Sequence, residues 1–113
     1  EITGRKSQSD YYDRRDDILA YDRQAGLLKG RERGDYIREN RPYLLMNRTM
    51  ESTDKRLRNI NKQLRAVGDM ILSSPSIEQT IKFEERQKRL EDMKQSTYDR
   101  FNKRFNEKVG RTK

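Results

Sequence analysis

The chain contains no cysteine, no histidine and no tryptophan, and only two prolines in 113 residues. Without cysteine there are no disulfides and no thiolate metal sites, and the redox compartment is left open. Without histidine as well, the usual zinc ligand sets, Cys-His and Ser-His nucleophile pairs, and histidine acid-base catalysis are all excluded. Long apolar runs are missing too: the longest, such as Tyr43 to Met46 and Met70 to Leu72, are three or four residues. None approaches the ~20 apolar residues of a transmembrane helix, so no transmembrane segment is expected, and no signal peptide is visible. The six glycines never assemble into a phosphate-binding loop. No pattern identifies a reaction, a cofactor or a small-molecule substrate, and we expect a protein that is not an enzyme.

What is present is charge. Charged residues make up 41% of the chain and hydrophobic ones 30%, with both signs interspersed. Such a composition can bury helix stripes but not a thick globular core. The length bounds the chain to one domain or a piece of one, and a start at Glu1 rather than Met leads us to expect an excerpt from a longer polypeptide.

The organising stretch runs from Met46 to Ile71. Met46, Met50, Thr53, Leu57, Ile60, Leu64, Val67 and Ile71 follow one another at alternating steps of three and four. That spacing keeps them on one narrow stripe of an α-helix, and a 3.5-residue repeat calls for a partner helix.

Around it, residues 1–9 lack periodicity and read as a linker or docking strap. A helix over 10–29 follows, capped by Ser9, with Tyr11, Ile18, Tyr21, Ala25 and Leu28 on one side and Gly30 past its end. The connector 31–41 is charged and can hold a short helix over 35–39. Pro42 opens the central helix, 43–72, because proline suits the first turn. The Ser73-Ser74-Pro75-Ser76 break ends it, and either Ser74 before Pro75 or Ser76 with Gln79 caps a third helix over 76–109. Residues 110–113 form a basic tail.

So short a turn folds the third helix back antiparallel on the second. If Ile71 faces Ile77, paired residue numbers sum to about 147 or 148, since both helices rise equally per residue. The register then pairs Val67 with Ile81, Leu64 with Phe83, Leu57 with Leu90, Met46 with Phe101 and Tyr43 with Phe105, and Met93 joins the seam. Ile60 meets Gln87, a gap that the first helix or another subunit could cover. The expected fold is all-α: a long antiparallel, coiled-coil-like hairpin of about 40 to 50 Å with an additional N-terminal helix.

The net charge of +8 concentrates toward the C-terminus, where Arg100, Lys103, Arg104, Lys108, Arg111 and Lys113 stand against Glu107 alone. Interleaved with aromatic residues, these are candidate contacts to nucleic-acid phosphates or an anionic membrane surface. The plainer reading is that they complement a helix dipole beside a hydrophobic seam. Asp13, Asp16, Asp17 and Asp22 lie beside Arg14 and Arg15 and read as surface pairs rather than a metal site. Tyr12, adjacent to a tyrosine already on the stripe, and Tyr36 in the connector are candidate partner contacts.

Taken in order, the linker, the Ser9-Asp10-Tyr11-Tyr12-Asp13 opening, the Gly-Asp-Tyr-Ile-Arg-Glu-Asn connector before Pro42, the Leu57–Arg65 helix, the Ser-Ser-Pro-Ser break and the Lys/Arg-rich return resemble a known family. They are similar to the C-terminal helical regions of large polyvalent proteins of tailed bacteriophages, including internal virion proteins ejected with the genome. The resemblance covers most of residues 9–109 and implies a structural module inside the virion, docking on other virion proteins or on its own copies near the portal or packaged DNA. It carries no catalytic residue onto this chain. The alternative is a nucleic-acid-binding helical module that uses the basic terminus.

Overall fold

In a computed structural model, which describes residues 2–110 with side chains from Lys6 onward, the chain forms four helices and no strand among the described residues. They are α1 (Ile2–Leu27), α2 (Gly30–Glu39), α3 (Arg41–Leu72) and α4 (Ile77–Val109). The molecule is elongated, 66 × 25 × 16 Å. It is an antiparallel α3/α4 hairpin with α1 laid along its open end.

The boundaries follow from local chemistry. Gly30 takes φ +61°, a left-handed conformation that side-chain-bearing residues avoid, and this separates α1 from α2. Asn40 closes α2 by donating its backbone N–H to Tyr36 and opens α3 by accepting from Leu44, so the two helices meet with almost no loop. Pro42 sits in the first turn of α3. At the hairpin turn the side chain of Ser76 caps α4 by accepting from the Gln79 N–H at 3.3 Å.

The N-terminal stretch corrects one expectation. Residues 2–9, expected as a linker or strap, continue α1, and Ser9 lies inside the helix rather than at its cap. The reason is tertiary. Ser7, four residues before Tyr11 and on the same face, donates its hydroxyl to Asp99, while Asn102 Nδ2 donates to the Ser7 carbonyl at 2.9 Å. The stripe continues there through a polar residue, so apolar periodicity could not reveal it.

Buried apolar residues fall into two clusters. The larger contains Tyr11 and Ile18 of α1, Met46, Met50 and Leu57 of α3, and Tyr98, Phe101, Phe105 and Val109 of α4. Here three helices converge, α1 running antiparallel to α3, as Tyr21 against Tyr43 and Tyr11 against Asp54 show. The smaller holds Ile60, Val67 and Leu90, with Leu64, Ile71 and Phe83 partly buried against it. Among the described side chains it belongs to α3 and α4 alone. The molecule thus has a three-helix body and a two-helix arm.

The arm departs from the expected register. Ile77 is 80% exposed, Ile81 50% and Met93 43%, so none of the three lies in the seam. The inner line of α4 runs instead through Thr80, Phe83, Gln87, Leu90 and Lys94, all buried or half-buried, at steps of three and four. At ~3.6 residues per turn, Ile81 projects away from the side that Phe83 occupies. Val67 clusters with Ile60 and Leu90 while Ile81 stays half exposed outside that cluster, and Leu57 and Leu90, expected as a pair, fall in different clusters. Gln87 and Lys94 complete the line with their aliphatic stems. The expected Tyr43–Phe105 pair does form, with ring centroids 5.9 Å apart.

Candidate functional site

The body is built on aromatic rings. Tyr36, Tyr21, Tyr43, Phe105, Phe101, Tyr11 and Tyr98 form a continuous series of ring contacts, with Tyr12 edge-on to Tyr11. The closest is Tyr21 stacked on Tyr43 at 4.1 Å. Every tyrosine and two of the three phenylalanines belong to this spine, which leaves Phe83 as the arm's one aromatic. Such pairs contribute about 0.5–1.5 kcal/mol each beyond burial. Arg14 stacks its guanidinium over Phe105, 5.2 Å from the ring centre.

A polar network is set into the spine. The Tyr11 hydroxyl, wholly buried, donates to one oxygen of Asp54, and Arg15 Nε donates to the other at 2.9 Å. Burial first, then the hydrogen bond to Asp54, drives the Tyr11 pKa far above the usual phenol value. Tyr98 is raised likewise, by burial and then by its hydrogen bond with Tyr12. These tyrosines are neutral, packed donors with no proton to exchange near neutral pH. Asp54 joins α3 to α1 across the body, a role nothing in its polar neighbourhood in sequence signals.

On the hairpin, the terminal basic residues meet others. An open groove of about 690 Å³ between α3 and α4 is lined by Arg48 and Arg56 from α3 and by Arg100, Lys103 and Arg104 from α4, with Glu107 as its one acid. Thr49, Ser52, Thr53 and Thr97 supply hydroxyls, and the buried ring of Phe101 forms part of its floor. The five cations are exposed, and none takes part in either ion pair found among the described residues, Arg15–Asp54 and Arg38–Asp35. An adjoining concavity of about 550 Å³ shares Arg104 and Glu107 and adds Arg41 and Lys108. A separate groove on the arm, about 740 Å³, carries Arg58, Lys62, Arg65 and Lys94.

Of the basic residues singled out in the sequence, Arg100, Lys103, Arg104 and Lys108 line this connected surface; Arg111 and Lys113 lie outside the described residues. Arg48 and Arg56 were missed. The signal was present in their flanking position beside Thr49, Ser52 and Thr53, but on α3 alone they look like an ordinary solvated face. Tyr12 is 45% exposed, with one edge committed to Tyr11 and Tyr98. Tyr36 is half-buried against Tyr21.

The arm ends differently. Met70, Leu72, Ile77 and Ile81 surround the turn and are all exposed, Leu72 to 87%. No helix among the described residues is long and apolar enough to cross a membrane. No protein-family model, curated protein or solved structure matches the chain.

Proposed function

We propose that the chain is a non-enzymatic structural and assembly module of a phage virion, part of a large internal protein that docks on partner subunits near the portal or packaged DNA. The observation that carries this reading is the asymmetry of the arm. Among the described side chains its buried cluster draws on α3 and α4 only, and its tip displays Met70, Leu72, Ile77 and Ile81 around the turn. Aliphatic side chains gathered at the end of a projecting hairpin are what a docking element presents, since covering each contributes about 1.5–3 kcal/mol. The resemblance to phage polyvalent proteins supplies the virion context.

Sedimentation equilibrium with circular dichroism tests it. The wild-type chain is expected to be helical and to self-associate through the tip, and Leu72→Lys with Ile77→Lys to yield a monomer of unchanged helicity. A chain that stays monomeric as its concentration rises, or that associates regardless of the tip, rejects docking by this surface.

A further inference from the structure

We infer that the α3/α4 groove of the body is a binding site for the phosphate backbone of nucleic acid, read without regard to sequence. Arg48, Arg56, Arg100, Lys103 and Arg104 converge on it from two helices, and only Glu107 opposes them. Like charges held together repel, and none of these five is relieved by an ion pair among the described residues. An anion relieves them all. Four of the five are arginines, whose planar fork matches a phosphate's oxygens better than a lysine does.

The dimensions suit a polymer more than a single ion. Arg48 and Arg56 are eight residues apart on one helix, about 12 Å, and a strand carries one phosphate per ~3.4 Å of duplex axis, so three to four phosphates span the groove. The lining includes one aromatic, Phe101, and it is buried, so there is no exposed ring for a base to stack upon. What remains for a ligand is charge and hydroxyls, which recognise backbone. The site is also held still. Phe101 ties its floor to the aromatic spine, whereas the basic groove of the arm lies on the two-helix portion.

The test is binding of the whole chain to a mixed-sequence DNA duplex as a function of salt. Three to four phosphates neutralised predict a slope of log K against log salt of about −2.7 to −3.6, and about a 40- to 150-fold loss of affinity from 50 to 200 mM salt. Arg48→Gln with Arg56→Gln should make the slope shallower by about 2. These two residues are outside the C-terminal basic cluster, so the pair separates a groove from a basic helix end. Lys82→Gln with Lys88→Gln, the same charge change outside the groove, should leave the slope within experimental error, as should the tip substitutions.

Equal losses from both pairs would mean attraction by net charge alone and would overturn the assignment. A larger loss from Lys62→Gln with Arg65→Gln would move the site to the arm and overturn it equally. Binding to phosphatidylserine vesicles without binding to DNA would replace nucleic acid with a membrane surface.

Discussion

The body and the arm share one helix and one seam, yet they are stabilised differently. α3 carries the same three-four alternation through both, from Met46 and Met50 in the body to Leu64 and Val67 in the arm. In the body, α1 covers that seam with Tyr11 and Ile18, both wholly buried, and eight of the nine aromatics assemble there. In the arm, among the described side chains, the buried cluster is built by α3 and α4, with α4 contributing Phe83, Gln87, Leu90 and Lys94 to its inner line. A heptad stripe therefore fixes where a helix is sticky, while the residues opposite decide how much of that stripe becomes core. Two stripes leave edges open to water. A third helix closes them.

The sharpest way to break the comparison is to place the same charge in each half. Leu57 is buried in the body and Leu64 is half-buried in the arm. Leu57→Asp should destabilise by about 4 kcal/mol or more, because an unpaired carboxylate in a three-helix core has no route to water. Leu64→Asp should lose about 1–2 kcal/mol, since its carboxylate can turn outward past the uncovered side. Chemical denaturation followed by circular dichroism measures both. Equal losses would show that body and arm do not differ in stability.

A second contrast concerns polar groups. Asp54 satisfies the buried Tyr11 hydroxyl and Arg15 together, whereas Asp69 in the arm is exposed. Asp54→Ala should cost about 1.5–3 kcal/mol, because it leaves a dry hydroxyl without an acceptor and removes a charged hydrogen-bond partner. Asp69→Ala should stay within about 0.5 kcal/mol. Comparable denaturation midpoints for the two variants would show that the network contributes nothing beyond the surface.

Much of this division was legible in the sequence, but unevenly. The α3 stripe, the turn at Ser73–Ser76 with its Ser76 cap, and the Tyr11-Ile18-Ala25 face of α1 could all be read from spacing, because aliphatic and aromatic residues mark those positions directly. Ile77, Ile81 and Met93 misled for the converse reason. Hydrophobicity nominated them for the seam, but α4 turns Thr80, Gln87 and Lys94 inward, and a stripe completed by polar side chains is invisible to an apolar count. Ser7 and Asp54 were hidden in the same way, each recognisable only through partners 39 or more residues distant. The groove was half legible. Arg100, Lys103 and Arg104 stood out as a basic run, but Arg48 and Arg56 join them only once α3 lies alongside α4.

The mildest contrast is in alkaline solution, and its sign follows from the spine. All six tyrosines lie in the body, and the pKa values of Tyr11, Tyr98, Tyr43 and Tyr36 are each raised, chiefly by burial. Around Tyr11 stand Asp54, which deepens the shift, and Arg15, which opposes it. In the unfolded chain a tyrosine ionises near pH 10, while in the folded body Tyr11 and Tyr98 hold their protons above that point. Their contribution is complete below pH 10 and is lost as pH climbs beyond it, at no more than about 1.4 kcal/mol per pH unit for each fully shifted group. Denaturation midpoints should therefore be level from pH 7 to about 9 and fall from about 10 upward. Tyr11→Phe should begin from a lower plateau, having lost the bond to Asp54, and then decline less steeply. A decline as steep as that of the wild type would show that the buried Tyr11 hydroxyl does not set the alkaline limit, and would leave Tyr98, Tyr43 and Tyr36 of the same body to set it.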